Sequence, residues 1–78
     1  MKLELFKRDS CRYCVKVFMA MEELGVEDQV EMLDVSKDTG ALKRLVEVGG
    51  KQQVPCLFID GKPLYESDDI ISWMEENL

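Results

Sequence analysis

The sequence predicts an α/β domain whose elements follow in the order β-α-β-α-β-β-α, with a four-stranded mixed sheet flanked by helices. Apolar residues alternate with period two in some segments, as in strands, and recur at spacings of three and four in others, as in helices. The pair Asp60-Gly61 separates the last two strand-like segments, and such a pair typically forms the turn of a hairpin. Seventy-eight residues leave no room for a second core, so we expect one domain over residues 1–78.

The first half of the chain predicts two consecutive strand–helix units. Each unit begins with a short segment that suggests a strand and continues with an apolar stripe at helical spacing. Gly25 and the pair Gly49-Gly50 follow these stripes, where glycine commonly ends a helix. The predicted elements are a strand over Lys2–Phe6, a helix over Arg12–Leu24 with Asp9 and Ser10 as capping residues, a strand over Val30–Val35, and a helix that starts within Ser36–Thr39.

The second half predicts a hairpin followed by a terminal helix. Val54–Ile59 is apolar on both faces, which is typical of a central strand. Pro63 places the return strand, Lys62–Tyr65, at the sheet edge, because proline cannot donate to a ladder on both sides. Ser67 is the predicted cap of the last helix. The side chains predicted to face the core from the helices and the second strand are Val15, Val17, Phe18, Met21, Leu24, Val30, Met32, Leu33, Leu42, Leu45, Val46, Ile70, Met74 and Leu78.

Composition excludes several classes of function. The net charge is −6, which argues against nucleic acid as the main partner, because binding a phosphate backbone requires a basic face. The absence of histidine excludes Cys–His pairs, Ser–His–Asp triads and histidine-containing zinc sites within one chain. The longest wholly apolar runs have six residues, and the first residues lack the apolar middle of a signal peptide. We therefore expect a cytoplasmic monomer with no membrane partner.

The segment Cys11-Arg12-Tyr13-Cys14 predicts a redox-active dithiol at a strand-to-helix junction. The unpaired N–H groups at a helix start favour negative charge, and thiolates in such motifs have pKa values of roughly 3.5–7.5 instead of about 8.5. Cys11 is therefore the predicted nucleophile, and Cys14, one turn inside the helix, is the predicted resolving thiol. Cationic residues surround Cys11 in the sequence: Lys7, Arg8, Arg12 and Lys16.

The cysteines also allow other interpretations. An inert buried pair has the same spacing, and Cys56 is either a core residue of a central strand or a third redox-active thiol. Zinc sites usually assemble four Cys or His ligands, whereas this chain has three cysteines, so no metal is expected within a monomer. An iron–sulfur cluster shared between two chains remains compatible with that count.

The order of these motifs resembles the glutaredoxin family. A strand, a Cys-x-Tyr-Cys segment with its helix, Val54-Pro55 and the helix start Ser67-Asp68-Asp69 follow in the family's order over nearly the whole chain. The resemblance implies the thioredoxin-like (glutaredoxin-type) fold. It also implies that glutathione is the reductant, with disulfide-containing or glutathionylated proteins as substrates.

The resemblance further implies roles for single residues in binding glutathione. Cys11 and Cys14 match the family's nucleophile and resolving thiol. Ser67 and Asp68 match the positions that hold the γ-glutamyl end through N–H groups and a carboxylate. The other implied contacts are Arg8 with the glycine carboxylate, Tyr13 beside the ligand, the Val54 backbone with the cysteinyl part, and Pro55 as the family's cis proline.

Three departures from the family pattern leave the electron donor open. Arg12 replaces a proline, Gln53 replaces a threonine, and Tyr65-Glu66 stands where the family has two glycines that allow close approach of a ligand. Glu66-Ser67 instead resembles the N-terminal domain of glutathione transferases, in which such a pair binds the γ-glutamyl end. The alternatives are a glutaredoxin-like thioredoxin recharged by a flavoprotein reductase, and a non-enzymatic module that carries a cluster or binds partners.

Overall fold

The computed structural model describes residues 1–78 and contains a four-stranded sheet with helices on both faces. Its order is that of the prediction: β1 (Leu3–Lys7), α1 (Arg12–Leu24), β2 (Glu31–Asp34), α2 (Thr39–Arg44), β3 (Cys56–Ile59), β4 (Lys62–Tyr65) and α3 (Ser67–Asn77). The strands lie in the order β2-β1-β3-β4, so β4, which contains Pro63, is an edge strand as predicted. β1 is parallel to β2 and antiparallel to β3, and β3 is antiparallel to β4, which confirms the mixed sheet. None of the helices has the length and apolarity that crossing a membrane requires.

The sheet separates two cores, one under α1 and α3 and the other under α2. β1 contributes to both, because successive side chains of a strand point to opposite faces: Leu3 and Leu5 join the first core and Phe6 the second. The first core contains Leu3, Leu5, Val17, Met21, Val26, Val30, Leu57, Ile70 and Met74. The second contains Phe6, Val35, Ala41, Leu45, Cys56 and Phe58.

Local side-chain chemistry explains most of the turns. Asp60 and Gly61 have φ values of 49° and 85°, and positive values at both central positions define the hairpin turn that their sequence predicts. Gly25 ends α1 in the left-handed conformation, with φ 67°. The Asp38 carboxylate caps α2 by accepting a hydrogen bond of 3.1 Å from the N–H of Ala41.

Two helices begin differently from the prediction. The N-cap of α1 is Cys11, with φ −84° and ψ 120°, and not Asp9 or Ser10. The N-cap of α3 is Glu66, with φ 72°, so Ser67 is the first helical residue and not the cap. In neither helix does a side chain accept the capping hydrogen bond. Both helix starts therefore leave backbone N–H groups without a capping side chain.

Four side chains predicted to face the core are exposed: Val15, Leu24, Met32 and Val46, at 39–41%. Met32 lies on β2, an edge strand with a neighbour on one side only. Val46 lies in a π-helical turn, Leu45–Gly49, that continues α2 and has a wider spacing than the predicted stripe. Leu24 is the last residue of α1, and Val15 flanks a buried stripe that is narrower than predicted.

Candidate active site

The Cys11 sulfur lies at the start of α1 and is partly accessible. Because Cys11 is the N-cap, its side chain is placed beside the first N–H groups of the helix instead of on the helix flank. The thiol donates a hydrogen bond of 3.8 Å to the carbonyl oxygen of Val54, in the segment before β3. The predicted nucleophile is thus both exposed enough to react and held by a neighbouring element.

The environment of Cys11 favours its thiolate. Burial by itself would raise the pKa of Cys11, but hydrogen bonds from the Cys14 N–H, the Cys14 thiol and the Tyr13 N–H, together with the positive charge of Arg8, lower it below the ordinary value. Among the four cations that the sequence places nearby, Arg8 is the principal charged contributor to this lowering. The influences that lower the pKa of Cys11 therefore come mainly from the helix start.

The second thiol of the motif has the opposite environment. Cys14 is completely buried, and this burial raises its pKa to about 12 in spite of a hydrogen bond from the Arg8 N–H. Near neutral pH Cys14 therefore keeps its proton. The pair is therefore divided into one accessible thiol with a lowered pKa and one buried thiol with a raised pKa.

A groove of about 460 Å³ opens beside the dithiol. Its walls are the first turns of α1 and α3 and the segment before β3, where the Val54-Pro55 peptide bond is cis. The start of α3 contributes backbone N–H groups, which bind carboxylates readily. The groove is lined by Tyr13, Lys16, Gln53, Val54, Pro55, Glu66, Ser67 and Asp68.

Two polar contacts join the walls of this groove. The Lys16 ammonium on α1 is hydrogen-bonded to the Asp68 carboxylate on α3. Gln53 Nε2 donates a hydrogen bond of 3.2 Å to Glu66 Oε1. Both acidic side chains of the groove therefore already have a partner from the opposite wall.

Tyr65 does not enter the groove, although it stands where the glutaredoxin pattern has a glycine. Its hydroxyl donates a hydrogen bond of 2.9 Å to the carbonyl oxygen of Lys51, and its ring lies against Gly49. A Cβ atom at Gly49 would lie 2.2 Å from the Tyr65 hydroxyl oxygen, so the glycine makes room for the tyrosine. Glu66 is the departure that does line the groove, with a φ of 72° that a glycine would adopt without strain.

Cys56 is a core residue of the opposite face. It is completely buried, and burial raises its pKa to about 11, against smaller lowering effects of the neighbouring Tyr65 and Leu64. A buried thiol with a raised pKa is unreactive. The structure therefore places the third cysteine in the core, outside the groove.

The structure brings most of the predicted site residues together. The groove is lined by five of them: Tyr13, Val54, Pro55, Ser67 and Asp68. Cys11 is hydrogen-bonded to the carbonyl oxygen of Val54. Arg8 does not line the groove and acts through its charge and its N–H on the two thiols.

Sequence reasoning assigned no groove contact to three residues that line it. Lys16 is three positions after Tyr13, a spacing that puts both on one face of α1 and could have revealed it. Gln53 directly precedes Val54, and the sequence places Glu66 near the ligand both as a replacement for a family glycine and as part of the transferase-like Glu66-Ser67 pair. The pairing of Lys16 with Asp68 joins residues 52 positions apart and has no signal in the sequence.

Known proteins similar to this chain fall into two related groups. Residues 10–77 match the family model of the glutathione S-transferase N-terminal domain. The chain is 35% identical over 75 residues to glutaredoxin-C4 of Arabidopsis thaliana, and the aligned region covers 95% of this chain and 56% of that protein. It is 29% identical over 83 aligned positions to glutaredoxin 1 of Escherichia coli, covering 100% of this chain and 98% of that protein.

The fold is also similar to solved structures. The crystal structure of the thioredoxin-like protein BC3987 matches with a TM-score of 0.81 and 27% identity, over 99% of this chain and 100% of that one. The predicted thioredoxin-like fold is therefore confirmed. The chain spans only 52–65% of the length of three plant glutaredoxins that it matches.

Proposed function

We propose that this chain, which belongs to the glutathione S-transferase N-terminal domain family and is similar to glutaredoxins along its length, is a thiol–disulfide oxidoreductase that takes its electrons from glutathione. The observation that supports this most directly is the pair of unequal thiols. Cys11 is partly exposed, with a lowered pKa, and Cys14 is buried, with a raised one. A thiolate is the nucleophile of disulfide exchange, so the arrangement provides an attacking thiol, Cys11, and a resolving thiol, Cys14.

With a glutathionylated protein, the Cys11 thiolate attacks the glutathione sulfur of the mixed disulfide. The protein's sulfur leaves as a thiolate and takes a proton from solvent, while Cys11 forms a disulfide with glutathione. The thiolate of a second glutathione then attacks that disulfide, giving oxidised glutathione and restoring the Cys11 thiolate. Two glutathione sulfurs are joined in oxidised glutathione, and the protein thiol is regenerated.

With a protein disulfide, Cys14 completes the reaction. Cys11 first forms a mixed disulfide with one substrate sulfur, and the other sulfur leaves and is protonated. Cys14 loses its proton and attacks Cys11, which releases the reduced substrate and forms the Cys11–Cys14 disulfide. Two glutathione molecules then return two electrons, leaving as oxidised glutathione.

The groove supplies the glutathione contacts in this proposal. The N–H groups at the start of α3, including that of Ser67, face one carboxylate of the ligand, and Asp68 faces its ammonium group. Val54 presents its backbone beside Cys11, and Tyr13 and Pro55 complete the walls. Arg8 is assigned to the glycine carboxylate on the family pattern alone.

The same proposal includes the setting in which the protein acts. The partners are disulfide-containing or glutathionylated proteins and glutathione, without a resident metal. The place is the cytoplasm, where the glutathione pool keeps thiols reduced. The protein works as a monomer.

Recharging by a flavoprotein reductase is the second candidate, and two observations favour it. Glu66 and Asp68, the acidic groups of the groove, already bind side chains of this protein. The match to a thioredoxin-like protein extends over nearly the whole of both chains. In that case the dithiol chemistry at Cys11 and Cys14 is unchanged and only the electron donor differs.

Reduction of a glutathionylated peptide, with glutathione, NADPH and glutathione reductase as the recycling system, tests the proposal. Wild-type protein and Cys14→Ser should both reduce the peptide, whereas Cys11→Ser should be inactive because it has no nucleophilic sulfur. Only the wild type should reduce a protein disulfide. Activity that appears only with NADPH and a thioredoxin reductase would transfer the assignment to the second candidate. A protein inactive in both systems would support a module that carries a cluster or binds partners.

A further inference from the structure

The Lys16–Asp68 ion pair crosses the groove beside the start of α3, whose first N–H groups have no capping side chain. Lys16 belongs to the α1 wall and Asp68 to the α3 wall, and both line the groove. Their side chains are 51% and 78% exposed. An ion pair this exposed contributes little to stability, so the two charges can separate at low cost when a ligand arrives.

The charges of Lys16 and Asp68 suit a ligand end that carries an ammonium group and a carboxylate on the same carbon atom. Asp68 is the acceptor for an ammonium group, and Lys16 and the N–H groups at the start of α3 are donors for a carboxylate. When such an end lies between the two side chains, its ammonium binds Asp68 and its carboxylate binds Lys16. One ion pair is then replaced by two, and no charge is left without a partner.

We propose that Lys16 is a specificity-determining residue that, together with Asp68, selects ligands with a free α-amino-acid end. The inference rests on the proposed function, because the γ-glutamyl end of glutathione has this chemistry. A ligand with only a carboxylate at this end would bind Lys16 and break its ion pair with Asp68. The Asp68 carboxylate would then have no partner. A ligand with the ammonium alone would leave Lys16 unpaired.

The experiment compares two mixed disulfides of one peptide, the first with glutathione and the second with glutaryl-cysteinyl-glycine, which lacks only the α-amino group. The kcat/KM of each is measured for wild type, Lys16→Met, Lys16→Arg and Asp68→Asn. Lys43→Met is the matched control, because Lys43 is an exposed lysine on α2 that pairs with Glu47 at 3.9 Å, outside the groove.

Lys16→Met should lower kcat/KM for the glutathione disulfide by about twofold to fivefold, the range that exposed ion pairs contribute, and the change should lie in KM. The preference for glutathione over the analogue should fall in Lys16→Met and in Asp68→Asn, while Lys16→Arg keeps it and Lys43→Met equals wild type. The alkylation rate of Cys11 should be unchanged in Lys16→Met, which separates ligand selection from an effect on the thiolate.

An unchanged or larger kcat/KM in Lys16→Met, with the preference retained, would show that Lys16 only obstructs the groove and would overturn the inference. In that result the wild type still reduces the glutathione disulfide, so the proposed function stands. A wild type that does not reduce the glutathione disulfide at all overturns both.

Discussion

Cys11 and Cys14 are one helical turn apart, yet their thiols differ in solvent access and in charged neighbours. The N–H groups at the start of α1 and the charge of Arg8 act on Cys11 and lower its pKa. Burial acts on Cys14 and raises its pKa to about 12. The positive charge of Lys7 partly opposes this increase. The Lys7 ammonium nitrogen lies 2.5 Å from a carboxylate oxygen of Asp9 and 3.5 Å from one of Asp34. The opposite pKa shifts of the two thiols therefore result from their positions on the helix.

At the residue scale, replacing Arg8 by methionine should raise the pKa of Cys11, because a cation that stabilises the thiolate is removed. In Cys14→Ser protein, alkylation by iodoacetamide should become severalfold slower near about pH 6–7, where the thiolate fraction limits the rate. The difference between the two alkylation rates should shrink above about pH 9, where the Cys11 thiol is mostly ionised in both proteins. Arg12→Met is the control, because Arg12 adjoins the same cysteine in sequence. Equal rates in Arg8→Met and its parent at every pH would contradict the role given to Arg8.

At the element scale, α2 is fixed to the sheet by an ion pair beside the second core, between Arg44 and the buried Glu4. Glu4 on β1 is only 3% exposed, and its carboxylate accepts two hydrogen bonds from Arg44, at 2.8 and 3.0 Å. The guanidinium also lies 5.5 and 5.7 Å from the ring centres of Phe6 and Phe58. The hydrogen bonds from Arg44, against the effect of burial, lower the pKa of Glu4.

Arg44→Met should destabilise the protein by about 1–3 kcal/mol at neutral pH, because a buried carboxylate loses both hydrogen bonds. Urea denaturation measures this, with Lys43→Met on the same helix as a control that should stay near wild type. Since the folded pKa of Glu4 lies below its unfolded value, the contribution of the pair is present above about pH 4.3 and is lost as the pH falls through the folded pKa. The gap between wild type and Arg44→Met should therefore narrow in acid, and a gap that is constant with pH would argue against the ion pair as its cause.

Periodicity was sufficient to predict the type and order of the elements but not how their ends are built. The stripe through Val17 and Met21 identifies α1 whatever residue caps it, because packing of an amphipathic face determines where a helix forms. Cysteine and glutamate are not typical capping residues, so Cys11 and Glu66 gave no local signal as N-caps. The wide turn after α2, which leaves Val46 exposed, likewise follows from packing and not from the sequence pattern.

At the scale of the whole molecule, the fold brings three distant segments to one groove: residues 13–16, 53–55 and 66–68. The first and third belong to helix starts and the second precedes a central strand, so each could be located from the sequence. Their mutual contacts could not, since the bond between Lys16 and Asp68 and that between Gln53 and Glu66 depend on how the helices and the β3 segment are placed in space. The direction of Tyr65 away from the groove depends in the same way on Gly49.

The three cysteines also determine how the stability of the reduced protein depends on pH. The pKa of Cys11 is lowered on folding, so its stabilising effect is complete above the unfolded value of about 8.5 and is lost as the pH falls through the folded pKa. Cys14 and Cys56 have folded pKa values raised to about 12 and about 11, so their effect is complete below about 8.5 and is lost as the pH rises toward those values. The combined contribution of the thiols should therefore be greatest near pH 8.5.

Urea denaturation under a phosphine reductant, from about pH 6 to about pH 10, tests this dependence. Relative to Cys11→Ser, the wild type should gain stability as the pH rises to about 8.5, because only the wild type has the favoured thiolate. Relative to Cys56→Ala, it should lose stability above about 8.5, although the alanine variant is less stable at every pH because it leaves a cavity. The slopes of these differences, and not their absolute values, decide the matter. A wild type that loses stability relative to Cys11→Ser between pH 6 and 8 would mean that folding disfavours the Cys11 thiolate, and the nucleophile assignment would then lose its physical basis.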